Sequence, residues 1–140
     1  MERQRAAWIV AAVAVAAAFG LLLPWAESGS RSRSSIELLR SAAALDLFST
    51  AERWLLVTAW FAVVAVAAGG LVAVAWHRVE LGAVAFGVIG PALVVAVMVV
   101  RRSPLAVDWG AYTASGLGVV ASIGSGMLLT RWSRAEGLER

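Results

Sequence analysis

The chain is 140 residues long and 61% hydrophobic, carries a formal net charge of +3 and has no cysteine. Its apolar share, with a mean hydropathy of +0.81, lies far above the roughly 45–50% of soluble domains and excludes a water-soluble core. The lack of cysteine excludes disulfides, thiol redox chemistry and thiolate metal sites, and twelve arginines scattered between apolar runs fit membrane flanks rather than a phosphate-tracking face, so nucleic acid is not an expected partner.

Met1 to Arg5 is short and basic, and residues 6–26 carry no charge. About 20 residues at 1.5 Å each match a ~30 Å hydrocarbon core, which predicts a first span. A cleaved secretory signal shares the basic start and apolar centre. This run is longer than a signal core, however, and its Leu21-Leu22-Leu23-Pro24-Trp25 exit offers no small-x-small cleavage site, so the span is expected to be retained.

Residues 27–52 form the one long polar interval. The segment from Ser28 to Ser35 cannot enter lipid, and its alternating Ser and Arg fit either an extended strand with Arg31 and Arg33 on one face or a solvated linker. Ser34 stands three residues before Glu37, a capping-box spacing, and Ile36, Leu39, Ala43 and Leu47 follow at helical intervals. The pattern predicts a short amphipathic helix over residues 35–47, at the membrane surface or packed over the bundle.

Ser49 and Glu52 repeat the capping spacing ahead of a second span over residues 53–76. The turn His77-Arg78-Val79-Glu80 leaves room only for an antiparallel hairpin. The third span, residues 81–100, ends on Arg101-Arg102 and carries Gly90-Pro91 near its centre, where the missing backbone N–H predicts a kink. Ser103-Pro104 supplies a stop and turn, Asp108 an N-cap, and residues 109–131 the fourth span. The expected fold is an all-α membrane protein: one domain, a four-transmembrane-helix antiparallel bundle with a short amphipathic helix in the first extramembrane loop.

Trp8, Trp25, Trp54, Trp76, Trp109 and Trp132 fall at the predicted span ends, the headgroup level that an amphipathic ring prefers. Trp60 does not, and is assigned to core packing. The third span has no tryptophan at either end, which marks it as the least lipid-exposed. Helix association in lipid needs close backbone approach. Gly110, Ala114, Gly118, Ser122 and Gly126 recur every four positions in the fourth span, as do Ala12, Ala16 and Gly20 in the first and Ala65, Gly69 and Ala73 in the second. The five-member stripe is expected to serve bundle packing or a partner interface.

With both termini cytoplasmic, Arg3, Arg5, Arg78, Arg131, Arg134 and Arg140 lie inside, and Arg31, Arg33, Arg40, Arg53, Arg101 and Arg102 outside. The two sides balance, so the basic start alone favours cytoplasmic termini. No ionisable residue sits at the middle of a predicted span, which disfavours coupled transport. A four-helix drug exporter places a carboxylate within its first helix, whereas Glu27 lies beyond this one. His77, the single histidine, supplies neither a haem nor a metal site, and no cofactor is implied. Glu27, Glu37, Asp46, Glu52 and Asp108 share the outer side without a spacing that pairs them, so enzymatic chemistry is not expected. Arg31, Arg33, Arg40, Arg101 and Arg102 would cluster near one headgroup layer, where guanidinium forks bind phosphate or carboxylate.

The run from Leu23 to Ser35 resembles small four-span actinobacterial membrane proteins with a Pro-Trp exit and a Ser-Gly-x-Arg-x-Arg-Ser segment after the first helix. An Ala-, Val-, Gly- and Arg-rich composition without lysine or asparagine points the same way. The resemblance implies a multi-pass cell-membrane protein and transfers no catalytic residue. The layout, with a long first loop and a short second, also looks like a claudin-type tetraspan, although the paired loop cysteines of that group are missing; likeness of layout carries no function. The leading expectation is a non-enzymatic accessory or scaffold subunit, whose first loop and small-residue face contact a larger membrane or envelope complex or another copy. The alternative is a protein that binds or moves membrane lipids through its outer arginines, with the kinked third helix as a lateral opening. A small channel or transporter comes third.

Overall fold

A computed structural model of the chain describes residues 2–28, 30–44 and 48–137. In chain order it contains α1 (Glu2–Phe19), a 3-10 turn (Gly20–Leu22), β1 (Pro24–Ser28), β2 (Arg31–Ser34), α2 (Ser35–Ala44), α3 (Thr50–Ala75), α4 (Val79–Arg102), β3 (Ala106–Val107) and α5 (Trp109–Gly137). Four helical stretches, Glu2–Leu22, Thr50–Ala75, Val79–Arg102 and Trp109–Arg134, are long and apolar enough to cross a bilayer. These are the four expected spans. The expected last turn of the amphipathic helix, with Asp46 and Leu47, lies outside the described residues, as do Gly29, Arg140 and the side chain of Ala43.

The first span stops earlier than hydropathy suggests. Proline disfavours the helical region for the residue before it, and Leu23 is extended at φ −73°, ψ 165°. Residues 24–26, expected to finish the span, instead begin β1. This strand is the centre of a three-stranded sheet of order β2-β1-β3, in which both pairings are antiparallel. The extended alternative for the Ser/Arg segment is thus the one realised.

Pro24 pairs with Ser34 but Ala26 pairs with Arg33, so β1 carries one extra residue at Trp25. Such a bulge re-aims a side chain, and here Trp25 and Ala26, adjacent in sequence, are both buried, at 2% and 0% exposure. Trp25 Nε1 donates to the Gly20 carbonyl at 2.9 Å, and the Trp25 carbonyl accepts from the Asp108 N–H at 2.9 Å. Trp25 is therefore a buried post and not the headgroup anchor expected. Trp132 is buried as well, whereas Trp8, Trp54, Trp76 and Trp109 are exposed.

Among the four spans α4 is the most internal: half of its apolar window is buried, against 33% for α1 and 22% for α3 and α5. The helix without terminal tryptophans is the one its neighbours cover. Its seam with α5 is backbone-close, since a Cβ on Gly90 would stand 2.7 Å from the Gly118 carbonyl oxygen and 2.6 Å from Ser122 Oγ. Gly20 meets Ala114 in the same way, 2.6 Å from a Cβ placed on the glycine to that of Ala114. Gly110, Ala114 and Gly118 are buried and Ser122 is half-buried, but Gly126 is exposed and has open space around it. Four members of the α5 stripe thus serve internal packing.

Apart from Gly20, which packs on Ala114, the members of the other two stripes lie off the buried rows. Ala12 and Ala16 are exposed while Ala7, Ala11, Ala14 and Ala17 are buried. In α3 the buried row is Val63, Ala67, Gly70 and Val74, and Ala65 and Gly69 face outward.

Pro91 sits inside an unbroken α4. A proline cannot donate to the carbonyl four residues back, which here belongs to Gly87. Ser122 Oγ of α5 lies 2.9 Å from that oxygen and donates to it, and accepts from the Gly90 N–H at 3.1 Å. A side chain on the neighbouring helix thus fills the gap proline leaves, as lipid requires.

At the opposite end α3 closes in a Schellman turn: Arg78 N–H donates to the Ala73 carbonyl at 2.8 Å and His77 N–H to that of Val74 at 3.1 Å. His77 occupies the left-handed position at φ 59°, a place that glycine usually fills. Gln4 Nε2 donates to the Val74 carbonyl at 2.9 Å and joins the start of α1 to the end of α3.

Candidate functional site

The extramembrane cap carries the polar chemistry. The Ser34–Glu37 capping box forms, with Ser34 N–H donating to Glu37 Oε2 at 3.0 Å and Glu37 N–H to Ser34 Oγ at 3.4 Å. It starts α2 directly from the end of β2. Leu38 is buried, and Ser35 Oγ donates to the Leu21 carbonyl, so α2 packs over the bundle with its other face free. A second capping box at Ser49 and Glu52 starts α3.

Residues two apart on a strand share a face. Arg31 and Arg33 of β2 accordingly open on the same cleft of about 310 Å³, together with Arg40, Glu37 and Ser41 of α2. Arg31 and Arg40 are exposed and Arg33 is half-buried. The Arg33 Nε atom is fully buried and has no hydrogen-bond acceptor among the described residues. Glu37 brings the single carboxylate, one oxygen of which already accepts the Ser34 N–H. Ser41 Oγ donates back to the Glu37 carbonyl at 2.7 Å. Three guanidiniums around one carboxylate leave the cleft with an excess of positive charge, carried on planar forks whose geometry matches a phosphate or carboxylate.

Arg101 and Arg102 do not line this cleft. They end α4, where Arg102 lies within electrostatic reach of Glu52 at the start of α3. The expected five-arginine cluster is thus a group of three with two outliers. Glu37 and Ser41 were not singled out for the site. Their helical spacing from Arg40, three back and one forward, would have placed Glu37 beside it.

Asp108 caps α5, with its Oδ1 accepting the Trp109 N–H at 2.7 Å. Its backbone link to Trp25 locks the last loop to the first. A second polar cleft, of about 460 Å³, opens at the other end of the bundle between Arg3, His77, Arg78, Glu80 and Trp132. Among the described residues no group of three or more His, Cys, Asp or Glu side chains is placed to hold a metal ion. Gly90 lies on the α4–α5 seam against Gly118 and Ser122, whereas Pro91 beside it is exposed.

Comparison with known proteins returns no match: no family model, no curated protein and no solved structure aligns significantly with the chain.

Proposed function

We propose that the chain is a multi-pass membrane protein whose cap binds an anionic headgroup, with Arg31, Arg33 and Arg40 contributing the charge and no bond being made or broken. The observation that carries this is the convergence of three guanidiniums on one cleft. Guanidinium forks that share one cleft offer a phosphate several charge-assisted bonds at once. The test is retention of phosphatidylglycerol by the purified protein, read by native mass spectrometry. Arg31→Gln together with Arg33→Gln is expected to reduce retention roughly tenfold, the effect of losing one strong charge-assisted bond. Arg101→Gln with Arg102→Gln should leave it unchanged. Equal losses in both pairs would refute the assignment to this cleft, and displacement by inorganic phosphate alone would point to a soluble anion.

The second function we propose is an accessory subunit of a larger membrane complex. The first four members of the α5 stripe are taken up by packing within the chain, and only Gly126 is exposed. What supports this function instead is the outward face of α3, where Ala65 is exposed and Gly69 has open space around it, the small-x-x-x-small spacing that lets helices approach. Recovery of a stoichiometric partner from native membranes, lost in Gly69→Leu, would establish it. A lone monomer would count against it.

A further inference from the structure

We propose that the cleft at the opposite end of the bundle is a second phosphate site, in which Arg3, His77 and Arg78 hold the headgroup of an anionic lipid from the other leaflet. The cleft measures about 460 Å³. Arg3 and Arg78 bring two positive charges to its wall and Glu80 one negative, so the wall is net positive before the imidazole is counted. All three proposed contacts are exposed side chains, which a ligand in the cleft can reach.

The backbone that carries them is fixed before any ligand arrives. The Val74 carbonyl accepts both the His77 N–H at 3.1 Å and Gln4 Nε2 at 2.9 Å. One oxygen thus ties the α3–α4 turn to the start of α1, and Arg3 and Arg78 open on one cleft. Trp132, buried on α5, lines the same cleft. His77 sets the place apart from a chance meeting of surface arginines. Its φ of 59° strains an L-residue where glycine would fit freely, and strained residues of this kind cluster at ligand clamps. Its imidazole offers an N–H to a phosphate oxygen, alongside two guanidinium forks that bind such oxygens by charge-assisted bonds.

The surroundings select a lipid over a soluble anion. Leu81 lines the cleft and is exposed, and Val84 and Val88 follow it at helical spacing on the outward face of α4. Trp76, beside the turn, is exposed at the headgroup level. An apolar track leading out of a cationic cleft matches a molecule that joins a phosphate to an acyl chain. This site shares no residue with the cap cleft, so either can fail without the other.

The chain's single histidine makes the test site-specific. The full chain, labelled with ¹⁵N-histidine, is placed in phosphatidylcholine nanodiscs with increasing phosphatidylglycerol, and the His77 imidazole resonance is followed. It is expected to shift to saturation. Arg3→Gln with Arg78→Gln should move the midpoint roughly tenfold toward more phosphatidylglycerol. Arg101→Gln with Arg102→Gln, an equal loss of charge elsewhere, should leave it in place. A shift without saturation, or one alike in both pairs, would reduce the effect to surface charge and overturn the site. The same shift produced by inorganic phosphate in pure phosphatidylcholine discs would overturn the lipid as occupant. His77→Gly, made together with Arg31→Gln and Arg33→Gln to remove any contribution of the cap cleft, should retain about fivefold less phosphatidylglycerol in native mass spectrometry. Undiminished retention would overturn the role of the imidazole.

Discussion

The Ser122 hydroxyl and Pro91 make a paired prediction. Ser122→Ala removes the donor that reaches the Gly87 carbonyl at 2.9 Å. The hydroxyl also lies 3.0 Å from the Gly118 carbonyl, but within α5 that oxygen already has its own helical donor, the backbone N–H of Ser122. The Gly87 oxygen has none, because residue 91 is proline. Hydrogen bonds between membrane helices are worth about 0.6 kcal/mol on average and up to ~1.7. Here the acceptor is left with no alternative in lipid, so the cost should lie near the upper end, about 1.5 kcal/mol. In a Pro91→Ala background the new N–H reaches Gly87 along the helix, and Ser122→Ala should then cost only about 0.5 kcal/mol. The coupling of about 1 kcal/mol, roughly fivefold in the unfolding equilibrium, would be read from reversible unfolding in bicelles titrated with dodecyl sulfate. Equal costs in the two backgrounds would refute the view that Ser122 replaces the bond proline removes.

Three further substitutions probe other parts of the fold. His77→Gly should stabilise the protein by about 1 kcal/mol in the same unfolding assay, because φ 59° costs an L-residue and not glycine; a loss of stability would mean that the imidazole makes a contact of its own. Gly90→Ala forces a Cβ within 2.7 Å of the Gly118 oxygen and should cost about 2–3 kcal/mol, visible as broadened gel filtration in detergent, whereas a normal profile would show that the α4–α5 seam can open. Trp25→Phe keeps most of the buried ring but drops the 2.9 Å bond to Gly20 and should cost about 1–2 kcal/mol, read as a lowered melting temperature; an unchanged melting temperature would show that the bond is dispensable.

Where the sequence was legible, the signal was local. Uncharged runs of about 20 residues declare spans, and both serine–glutamate capping boxes announce helix starts because each is complete within four residues. The Arg31/Arg33 alternation was readable for the same reason, being a two-residue period. Small-residue stripes were legible in α5, where glycine and serine stand out, but not in α1, where alanine occupies every face and the buried row is set by which neighbour lies alongside. The sheet escaped because β3 is two residues long and pairs across some eighty residues of chain; no local pattern encodes that partner. Trp25 escaped because its burial depends on a bulge. The grouping of Arg101 and Arg102 with Arg31, Arg33 and Arg40 is not seen in the cleft, since hydropathy fixes depth along a helix and not position around the bundle.

For the anion site proposed above, the cap matters by how little of it would be left to order on binding. A two-stranded hairpin alone is marginal in water, but β1 gains a third strand from the far end of α4, and Trp25 and Asp108 fasten that sheet to the helices. Arg31 and Arg33 therefore leave from a fixed backbone, and only their side chains remain to be immobilised. For a free arginine that cost approaches ~2 kcal/mol, enough to cancel a good charge-assisted bond. Arg33 has already met much of it, since its Nε is buried against the cap, whereas Arg31 and Arg40 are exposed. Affinity in the cleft should thus reside chiefly in Arg33, with the two exposed arginines adapting their forks to whichever oxygens the bound group presents.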